Sequence, residues 1–267
     1  MRQDTDATRA VSRAISVLRC LSTSVSGRSA FELCQLARIP RASLYRILNA
    51  LLQEELILQD AHSGKYLLGP ASLHFGFYAR AHTELVAQSL SLLREVARKT
   101  EQLAELVAPL PHWRILVLDT WHGRETPTTV AVRPGVMHFI NTDYAPSEAV
   151  LCFGPERRLA EYMRLSQTPE HRRRCGLDGP LAAEYLERVE RWRRLGYVWA
   201  AQSGAPGVGR VAAPVFDSRK NPPVLTAVLG IACASAILSA PRAAHFGAIL
   251  KTHAAKLAAR LAGGENQ

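Results

Sequence analysis

The chain has 267 residues, 48% of them hydrophobic, which is enough for one large or two ordinary domains with buried cores. No apolar run reaches the roughly 18 residues of a membrane span, and the first residues alternate acidic and basic side chains where a secretory signal would have an apolar core. We therefore expect a soluble protein that stays in the cytoplasm.

The chain is basic, with a formal net charge of +10 and a pI near 9.8. Lys and Arg that neutralise phosphates release counterions, so this balance favours a polyanionic partner. The excess is spread along the chain, because residues 1–83 hold 10 Lys and Arg against 6 Asp and Glu, and the remainder holds 23 against 17. The arginine-rich stretch at residues 157–194 is typical of a solvated helical face.

The five cysteines are odd in number, widely scattered and without a CxxC pair. This spacing indicates neither a disulfide framework nor a zinc site, and we expect reduced thiols. His112, His122 and His138 lack the close pairing with Asp, Glu or Cys that a metal site needs. We therefore expect no metal and no cofactor.

Two amphipathic helices are predicted before residue 40. The apolar side of the first consists of Val11, Ala14, Ile15, Leu18 and Leu21. Ser29 followed three residues later by Glu32 is a capping box, which begins the second helix. The expected inner face of that helix consists of Leu33, Leu36 and Ala37, and Pro40 ends it.

A third helix is predicted from Arg41 to about Gln53. Its apolar stripe consists of Leu44, Ile47, Leu48, Leu51 and Leu52, and the side chains left to project outward are Ser43, Tyr45, Arg46, Asn49 and Gln53. Arg, Asn and Gln can pair with base edges, while Ser and Tyr hydroxyls suit phosphate oxygens. This face has the composition of a helix that reads the major groove of DNA.

A short hairpin follows, with strands at residues 56–59 and 65–68 joined by a turn that Gly64 closes. Lys65, beside the hairpin tip, could contact backbone phosphate or stay in solvent. Helix, turn, helix and hairpin follow one another at the intervals of a winged helix-turn-helix, a DNA-binding fold.

The remainder of the chain begins with a helix entered at Pro70, with Leu73, Phe77 and Ala81 along one side. A second helix at residues 85–99 is expected to bury Val86, Leu90, Leu93 and Ala97. Strands are then predicted at residues 103–108, 115–121, 128–132, 211–216 and 224–231, with helices at 147–153, 156–165, 181–195 and 241–261. Strands interleaved with helices suggest an antiparallel or mixed sheet with helices packed on it.

The N-terminal region resembles the DNA-binding domain of IclR-type transcriptional regulators. The segments that carry the resemblance are residues 10–21 (AVSRAISVLRCL), 36–48 (LARIPRASLYRIL) and 63–70 (SGKYLLGP). The resemblance implies that Arg41, Ser43, Tyr45 and Arg46 face DNA.

Residues 85–262 also resemble this family, whose effector domain is a GAF-like α/β fold. The motifs are residues 193–197 (RRLGY) and 207–217 (GVGRVAAPVFD). We therefore predict an α+β protein with a winged helix-turn-helix domain at residues 1–69, a linker helix at 70–84, a GAF-like effector-binding domain at 85–262 and a disordered tail at 263–267.

The resemblance also implies a pocket for small effectors, often carboxylates or aromatics. Its candidate residues in this chain are His138, Ser147, Trp199, Arg210, Cys233 and Ser235. The chain has Trp199 near positions where family members usually carry acidic residues, and Arg210 where they carry a small polar or thiol side chain. Arg210 is a candidate anchor for the anionic end of a partly apolar ligand, because a guanidinium matches a carboxylate bidentately. The alternative is that Arg210 reaches solvent or a neighbouring acid.

We therefore predict a ligand-responsive transcription factor, not an enzyme, whose partners are a double-stranded DNA operator, a small-molecule effector and a second copy of itself. One winged helix contacts few base pairs, so we expect a dimer or a dimer of dimers. One alternative is an architectural DNA-binding dimer without a ligand. The other is a hydrolase acting through Ser147 and His138, although the chain has no G-x-S-x-G, P-loop or H-E-x-x-H motif.

Overall fold

A computed structural model describes residues 6–81, 83–126, 130 and 132–263. The chain divides into two compact units, Met1–Thr83 and Glu84–Gln267. Each unit has its own buried core. Among the described helices, none combines the length and apolar character needed to cross a membrane.

Three helices form the core of the N-terminal unit: α1 (Asp6–Ser22), α2 (Ala30–Ala37) and α3 (Arg41–Gln53). The predicted capping box is present, because the Ser29 hydroxyl accepts from the Glu32 amide and the Glu32 carboxylate accepts from the Ser29 amide. Arg38 ends α2 in the left-handed conformation. The buried core consists of Val17, Leu21, Leu33, Ile39, Leu44, Leu48, Leu51, Ile57 and Tyr66.

Three apolar side chains of this unit are more exposed than predicted. Val11 and Ile15 lie on the outside of α1, where Val17 takes the buried position instead. Leu36, expected on the inner face of α2, is 53% exposed. The helical repeat is correct in both helices, but part of each apolar side packs against no other element of the unit. Spacing alone therefore predicts more buried residues than the structure has.

The predicted hairpin consists of β1 (Ile57–Gln59) and β2 (Tyr66–Leu68), paired antiparallel with Gln59 opposite Tyr66. Arg28 adds a bridge to Tyr66, with both backbone hydrogen bonds formed. Gly27 makes this possible, because its φ is +72° and a Cβ there would lie 2.7 Å from the Tyr66 carbonyl oxygen.

Helix α4 (Pro70–Ala81) follows the hairpin and begins at the predicted proline. Its apolar side chains are exposed to an unusual degree: Leu73 is 77% and Phe77 is 67% exposed. The side chain of Ala81 lies outside the described part of the chain. The apolar side predicted for this helix therefore has no buried counterpart among the described residues of the N-terminal unit.

The C-terminal unit contains one antiparallel sheet in the order β5-β4-β3-β8-β7-β6. Its strands are β3 (Leu103–Leu110), β4 (Arg114–Trp121), β5 (Met137–Phe139), β6 (Val198–Ala200), β7 (Val208–Asp217) and β8 (Val224–Ala234). Of the antiparallel and mixed arrangements left open by the sequence, the described strands form the first. Together with the helices, this sheet confirms the predicted α+β class.

Helices cover both faces of the sheet. Helices α5 (Glu84–Thr100) and α10 (Ala240–Gly263) pack on one face. The other face carries α6 (Ala145–Phe153), α7 (Glu156–Ser166), α8 (Pro169–Cys175) and α9 (Glu184–Leu195). Because strand side chains alternate, the neighbours Leu106 and Val107 of β3 belong to opposite cores.

The long elements lie close to their predicted positions, whereas the short ones differ. The sequence pattern does not predict strands β5 and β6 or helix α8, because three to seven residues are too few to show a period. The helix predicted from residue 181 begins at Glu184, and Leu90, expected to be buried, is half-buried. Most of the strand predicted at residues 128–132, and residues 264–267, lie outside the described residues.

Candidate functional site

The exposed side of α3 carries the side chains predicted to contact DNA. Tyr45 is 38% exposed, Arg46, Asn49 and Gln53 are exposed, and Ser43 is half-buried. The opposite side of the helix is anchored by three buried leucines, Leu44, Leu48 and Leu51. The core therefore fixes the rotation of α3 about its axis, and this rotation determines which polar side chains face solvent.

Arg41, the first residue of α3, is exposed and lies near Tyr45, with its guanidinium carbon 5.7 Å from the ring centroid. Residues four apart on a helix lie on the same side. Arg41 and Tyr45 therefore belong to one surface with the exposed polar residues further along α3.

The hairpin places Lys65 beside its tip, where the side chain is half-buried. The turn is held by Asp60, whose carboxylate accepts from the backbone amides of His62 (3.1 Å) and Ser63 (2.6 Å). Hydrogen bonds from Ser63 lower the pKa of the Asp60 carboxyl below its usual range. Hydrogen bonds therefore hold the turn at the hairpin tip, and this turn keeps Lys65 close to the end of the hairpin.

A cavity of about 200 Å³ lies in the C-terminal unit. Of the predicted effector residues, the structure brings His138 and Arg210 together here. The other lining residues are Val132, Arg133, Val136, Asn141, Tyr144, Gly204 and Ala205. The wall is mixed, because it combines two valines with several hydrogen-bonding groups.

Beneath the cavity, Arg210 belongs to a buried cluster with Glu105 and Tyr144. The Tyr144 hydroxyl donates to Glu105 Oε2 at 2.8 Å, and Arg210 Nε lies 3.4 Å from Glu105 Oε1. The Arg210 guanidinium stacks on the Tyr144 ring, 4.7 Å from its centroid, and also donates to the Ser203 carbonyl. Of the two roles considered for Arg210, the structure therefore shows pairing with a neighbouring acid.

A glycine in the adjacent strand makes room for this acid. Glu105 of β3 lies opposite Gly230 of β8, and a Cβ at position 230 would lie 2.7 Å from the Glu105 Cγ. Burial raises the pKa of the Glu105 carboxyl, and the Arg210 charge and the Tyr144 hydroxyl oppose that shift. Burial raises the pKa of the Tyr144 phenol well above its usual value. The cluster compensates the Arg210 charge from inside the protein.

His138 lies at the cavity mouth with its ring centroid 5.2 Å from that of Tyr144. The ring is accessible to solvent, but desolvation by the surrounding atoms and the nearby Arg210 charge lower its pKa. We therefore expect a neutral imidazole near pH 7, which offers one donor and one acceptor to the cavity.

The other four predicted effector residues do not line this cavity. Ser147 is buried on α6, and Trp199 is half-buried on β6. Cys233 packs in the core on the opposite face of the sheet, with Sγ 3.7 Å from the Gly209 carbonyl oxygen, and burial raises its pKa to about 11. Ser235 lies in a 3-10 turn after β8 (Ser235–Ile237). Cys233 of β8 neighbours the Arg210 strand β7, but side-chain alternation places it on the opposite face of the sheet.

The arrangement required by the hydrolase alternative is not formed. Ser147 Oγ is buried and has no hydrogen-bond partner among the described residues. A serine nucleophile needs a base within hydrogen-bonding reach. Nor do the described residues contain a group of three His, Cys, Asp or Glu side chains that could hold a metal ion.

Sequence reasoning misses Glu105, Tyr144, Asn141 and Arg133 as cavity and cluster residues. One signal is available for the first of these. Glu105 is the single charged residue in β3, LAELVAPL, a strand that is otherwise apolar. A lone acid in a buried strand requires a partner, but local pattern does not identify a partner in a strand that lies far along the chain.

Comparison with known proteins agrees with this architecture. Residues 10–61 match the family model of the IclR helix-turn-helix domain. Over 109 residues the chain is 31% identical to the HTH-type transcriptional regulator TtgV of Pseudomonas putida, and this match covers 41% of each chain. A crystal structure of an IclR transcriptional regulator from Alicyclobacillus acidocaldarius, 24% identical, superposes with a TM-score of 0.76 over 95% of this chain and 98% of the other. Residues 10–61 therefore form an IclR-type helix-turn-helix domain.

The IclR fold extends over both units of the chain. An IclR homolog from Microbacterium hydrocarbonoxydans, crystallised with 4-hydroxybenzoate, has a TM-score of 0.72 with 18% identity and covers 95% of this chain and 99% of its own. At this identity the likeness concerns the fold alone. The predicted combination of an N-terminal helix-turn-helix with a C-terminal sheet domain is thereby confirmed.

Proposed function

We propose that this IclR-family protein regulates transcription by binding an operator in double-stranded DNA through α3 and the β1–β2 hairpin. The observation that carries the proposal is the exposed polar row Arg46, Asn49 and Gln53, opposite a fully buried leucine stripe. Such a helix can enter the major groove, about 12 Å wide, without disturbing its own core.

We assign different roles to the members of this surface. Arg46, Asn49 and Gln53 have the hydrogen-bonding groups that distinguish base pairs. Arg41, Ser43, Tyr45 and Lys65 suit phosphate oxygens, which set position and contribute salt-dependent affinity. These roles follow from the chemistry of the side chains and from their placement in one unit.

We further propose that the protein acts as a dimer or a dimer of dimers. A single winged helix-turn-helix domain covers only a few base pairs, so useful affinity needs two such domains about one helical turn apart. Leu73 and Phe77, four residues apart on one side of α4, are both exposed and support association with another protein surface, since soluble monomers rarely expose large apolar patches.

We propose that the cavity at His138 binds a small organic acid as effector. Arg210 is already paired with Glu105, so the cation available to an anionic ligand is Arg133, which is exposed at the mouth. Asn141 adds a neutral hydrogen-bonding group, and Val132 and Val136 suit an apolar ring or chain. The 4-hydroxybenzoate held by the Microbacterium homolog has this combination of carboxylate and ring.

Effector binding would alter operator affinity by favouring one arrangement of the two DNA-binding domains in the dimer. A ligand shifts such an equilibrium only as far as its affinities for the two arrangements differ. The effect of the effector on operator affinity must therefore equal the effect of the operator on effector affinity.

Operator binding is tested by fluorescence anisotropy with a labelled fragment from upstream of the gene, titrated against unlabelled fragment and unrelated DNA. We expect tighter binding to the specific fragment and a steep decrease in affinity with salt. Equal affinity for both DNAs would favour the architectural alternative and overturn sequence-specific regulation.

The effector proposal is tested by thermal shift with 4-hydroxybenzoate, benzoate and small aliphatic acids as probes. A ligand that binds the folded state raises the melting temperature, and Arg133→Gln should remove the increase. The matched control is Arg173→Gln, which removes one exposed arginine of α8 away from the cavity. If no acid raises the melting temperature, or if both variants respond alike, the assignment to this cavity is wrong.

A further inference from the structure

A second concave site lies in the C-terminal unit, on the side of the sheet that α5 covers. It is a cleft of about 510 Å³ between the last turns of α5 and the end of β4. Its polar lining consists of Arg94, Arg98, Glu101, Trp121, His122 and Arg124. None of these residues lines the cavity at His138, and none belongs to the predicted DNA-binding or effector-binding sets.

The cleft concentrates positive charge that the protein does not compensate. Arg94 and Arg98 are four residues apart on α5 and so share one side of the helix, where like charges destabilise it. Arg124 adds a third guanidinium from the loop after β4. Within the part of the chain that the structure describes, no carboxylate forms an ion pair with any of the three.

The carboxylates near the cleft do not neutralise its three arginines. Glu95, next to Arg94 in the sequence, lies 2.8 Å from Lys99 Nζ and 3.4 Å from His253 Nε2. Among the described residues, Glu101 is the one carboxylate that lines the cleft. Three guanidinium charges against this single carboxylate leave an excess of two positive charges among these four side chains.

One of the guanidinium groups is held in place by stacking. The Arg94 guanidinium carbon lies 4.3 Å from the centroid of the Trp121 ring, which is 40% exposed. Stacking uses the flat face of the guanidinium and leaves its N–H groups, which point outward in the plane, available to an acceptor. The arrangement therefore fixes an arginine without consuming its hydrogen-bonding capacity.

The loop that carries His122 and Arg124 is fixed to the end of α5. Gly123 donates to the Gln102 carbonyl at 3.1 Å, and Glu125 donates to the Glu101 carbonyl at 2.9 Å. A Cβ at position 123 would clash with the Glu101 backbone, so glycine is needed for this close approach. The backbone thus positions Arg124 beside the arginines of α5 before any ligand arrives.

We propose that this cleft binds a small molecule that carries a phosphate monoester. Near neutral pH a phosphate monoester has a charge close to −2, which matches the uncompensated charge of the cleft, and its three terminal oxygens accept from guanidinium groups. The volume exceeds that of phosphate alone and lies within the range of small-molecule sites. The concave shape favours a small molecule over the continuous backbone of a duplex. The protein would then respond to a phosphorylated compound independently of the effector at His138.

The test is isothermal titration of the full-length protein with ribose 5-phosphate, ribose and inorganic phosphate at low ionic strength. Ribose 5-phosphate should bind, ribose should not, and inorganic phosphate should compete with the ester. Arg98→Gln and Arg124→Gln should each weaken binding by about tenfold or more, because each removes a charge-assisted hydrogen-bond donor. Arg173→Gln, which removes an exposed arginine elsewhere in the same unit, should leave the affinity unchanged.

Folding and DNA binding provide the remaining controls. Arg98 and Arg124 are exposed, so both variants should keep the wild-type melting temperature. The proposal is overturned if ribose 5-phosphate fails to bind at millimolar concentration, or if it binds the Arg98 and Arg173 variants equally. It is also overturned if the Arg98 and Arg124 variants lower the salt dependence of operator binding while no phosphate ester binds, because the cleft would then contact DNA. None of these results depends on the effector proposed for the other cavity.

Discussion

The polar surface of α3 and the polar cluster beneath the His138 cavity differ in where their polar side chains lie. On α3, Arg46, Asn49 and Gln53 face solvent. In the C-terminal unit, Glu105 and Arg210 are buried and form an ion pair with one another. The first arrangement keeps hydrogen-bonding capacity for an external partner, whereas the second uses that capacity to hold strands together.

The difference has an energetic consequence. Removing an exposed group costs the fold little, since surface substitutions usually change stability by less than about 0.5 kcal/mol. Removing one member of a buried ion pair leaves an uncompensated charge and costs roughly 3–5 kcal/mol. Substitutions in the two regions should therefore separate function from stability, and the effects expected below decrease in size from the buried cluster to the hairpin.

The largest effect is expected for Glu105→Ala. The substitution leaves Arg210 buried without its acid and removes the acceptor of the Tyr144 hydroxyl, so the free energy of unfolding of the C-terminal unit should fall by about 3–5 kcal/mol. Urea denaturation followed by circular dichroism measures the change. Glu187→Ala, at an exposed position of α9, should cost less than about 0.5 kcal/mol. A similar cost for both variants would show that the cluster does not stabilise the unit.

The next effect concerns Arg46→Ala, which should weaken specific operator binding by about 1–3 kcal/mol, because we propose that Arg46 contacts base edges. The melting temperature should stay close to that of the wild type, since Arg46 is exposed. Fluorescence anisotropy and differential scanning calorimetry measure the two quantities. Arg19→Ala removes the same charge from α1 and should reduce affinity far less. Unchanged operator affinity in the Arg46 variant would mean that α3 does not read bases.

The same contrast explains how much of the molecule can be predicted from its sequence. The sequence predicts helix α3 with its correct bounds and exposed side, because periodicity and flanking residues such as Pro40 are local signals. The Glu105–Tyr144–Arg210 cluster joins three residues that are far apart in the chain. The order of the strands places Glu105 near Arg210, and the packing of α6 on the sheet adds Tyr144. Short elements fail for a related reason, since β5 and β6 depend on pairing with a neighbour more than on their own pattern.

A smaller effect is expected for Ser29→Ala, which tests whether local signals also stabilise the N-terminal unit. Loss of the capping-box hydroxyl leaves an amide at the start of α2 without its acceptor, at a cost of about 1 kcal/mol. Ser22→Ala is the control, because the Ser22 hydroxyl donates to the Arg19 carbonyl at the end of α1 and caps no amide there. Equal melting temperatures for the two variants would contradict a stabilising role for the cap.

The smallest effect concerns Lys65→Ala and decides between the two roles left open for this residue. If Lys65 contacts a DNA phosphate, its loss should weaken binding to all sequences alike and reduce the slope of log Kobs against log salt by about 0.9. Anisotropy titrations at several salt concentrations measure the slope, with Lys220→Ala, an exposed lysine of the C-terminal unit, as control. A slope identical to that of the wild type would place the Lys65 ammonium in solvent. The hairpin would then contact DNA, if at all, through backbone amides at its tip, and α3 alone would supply the charged contacts.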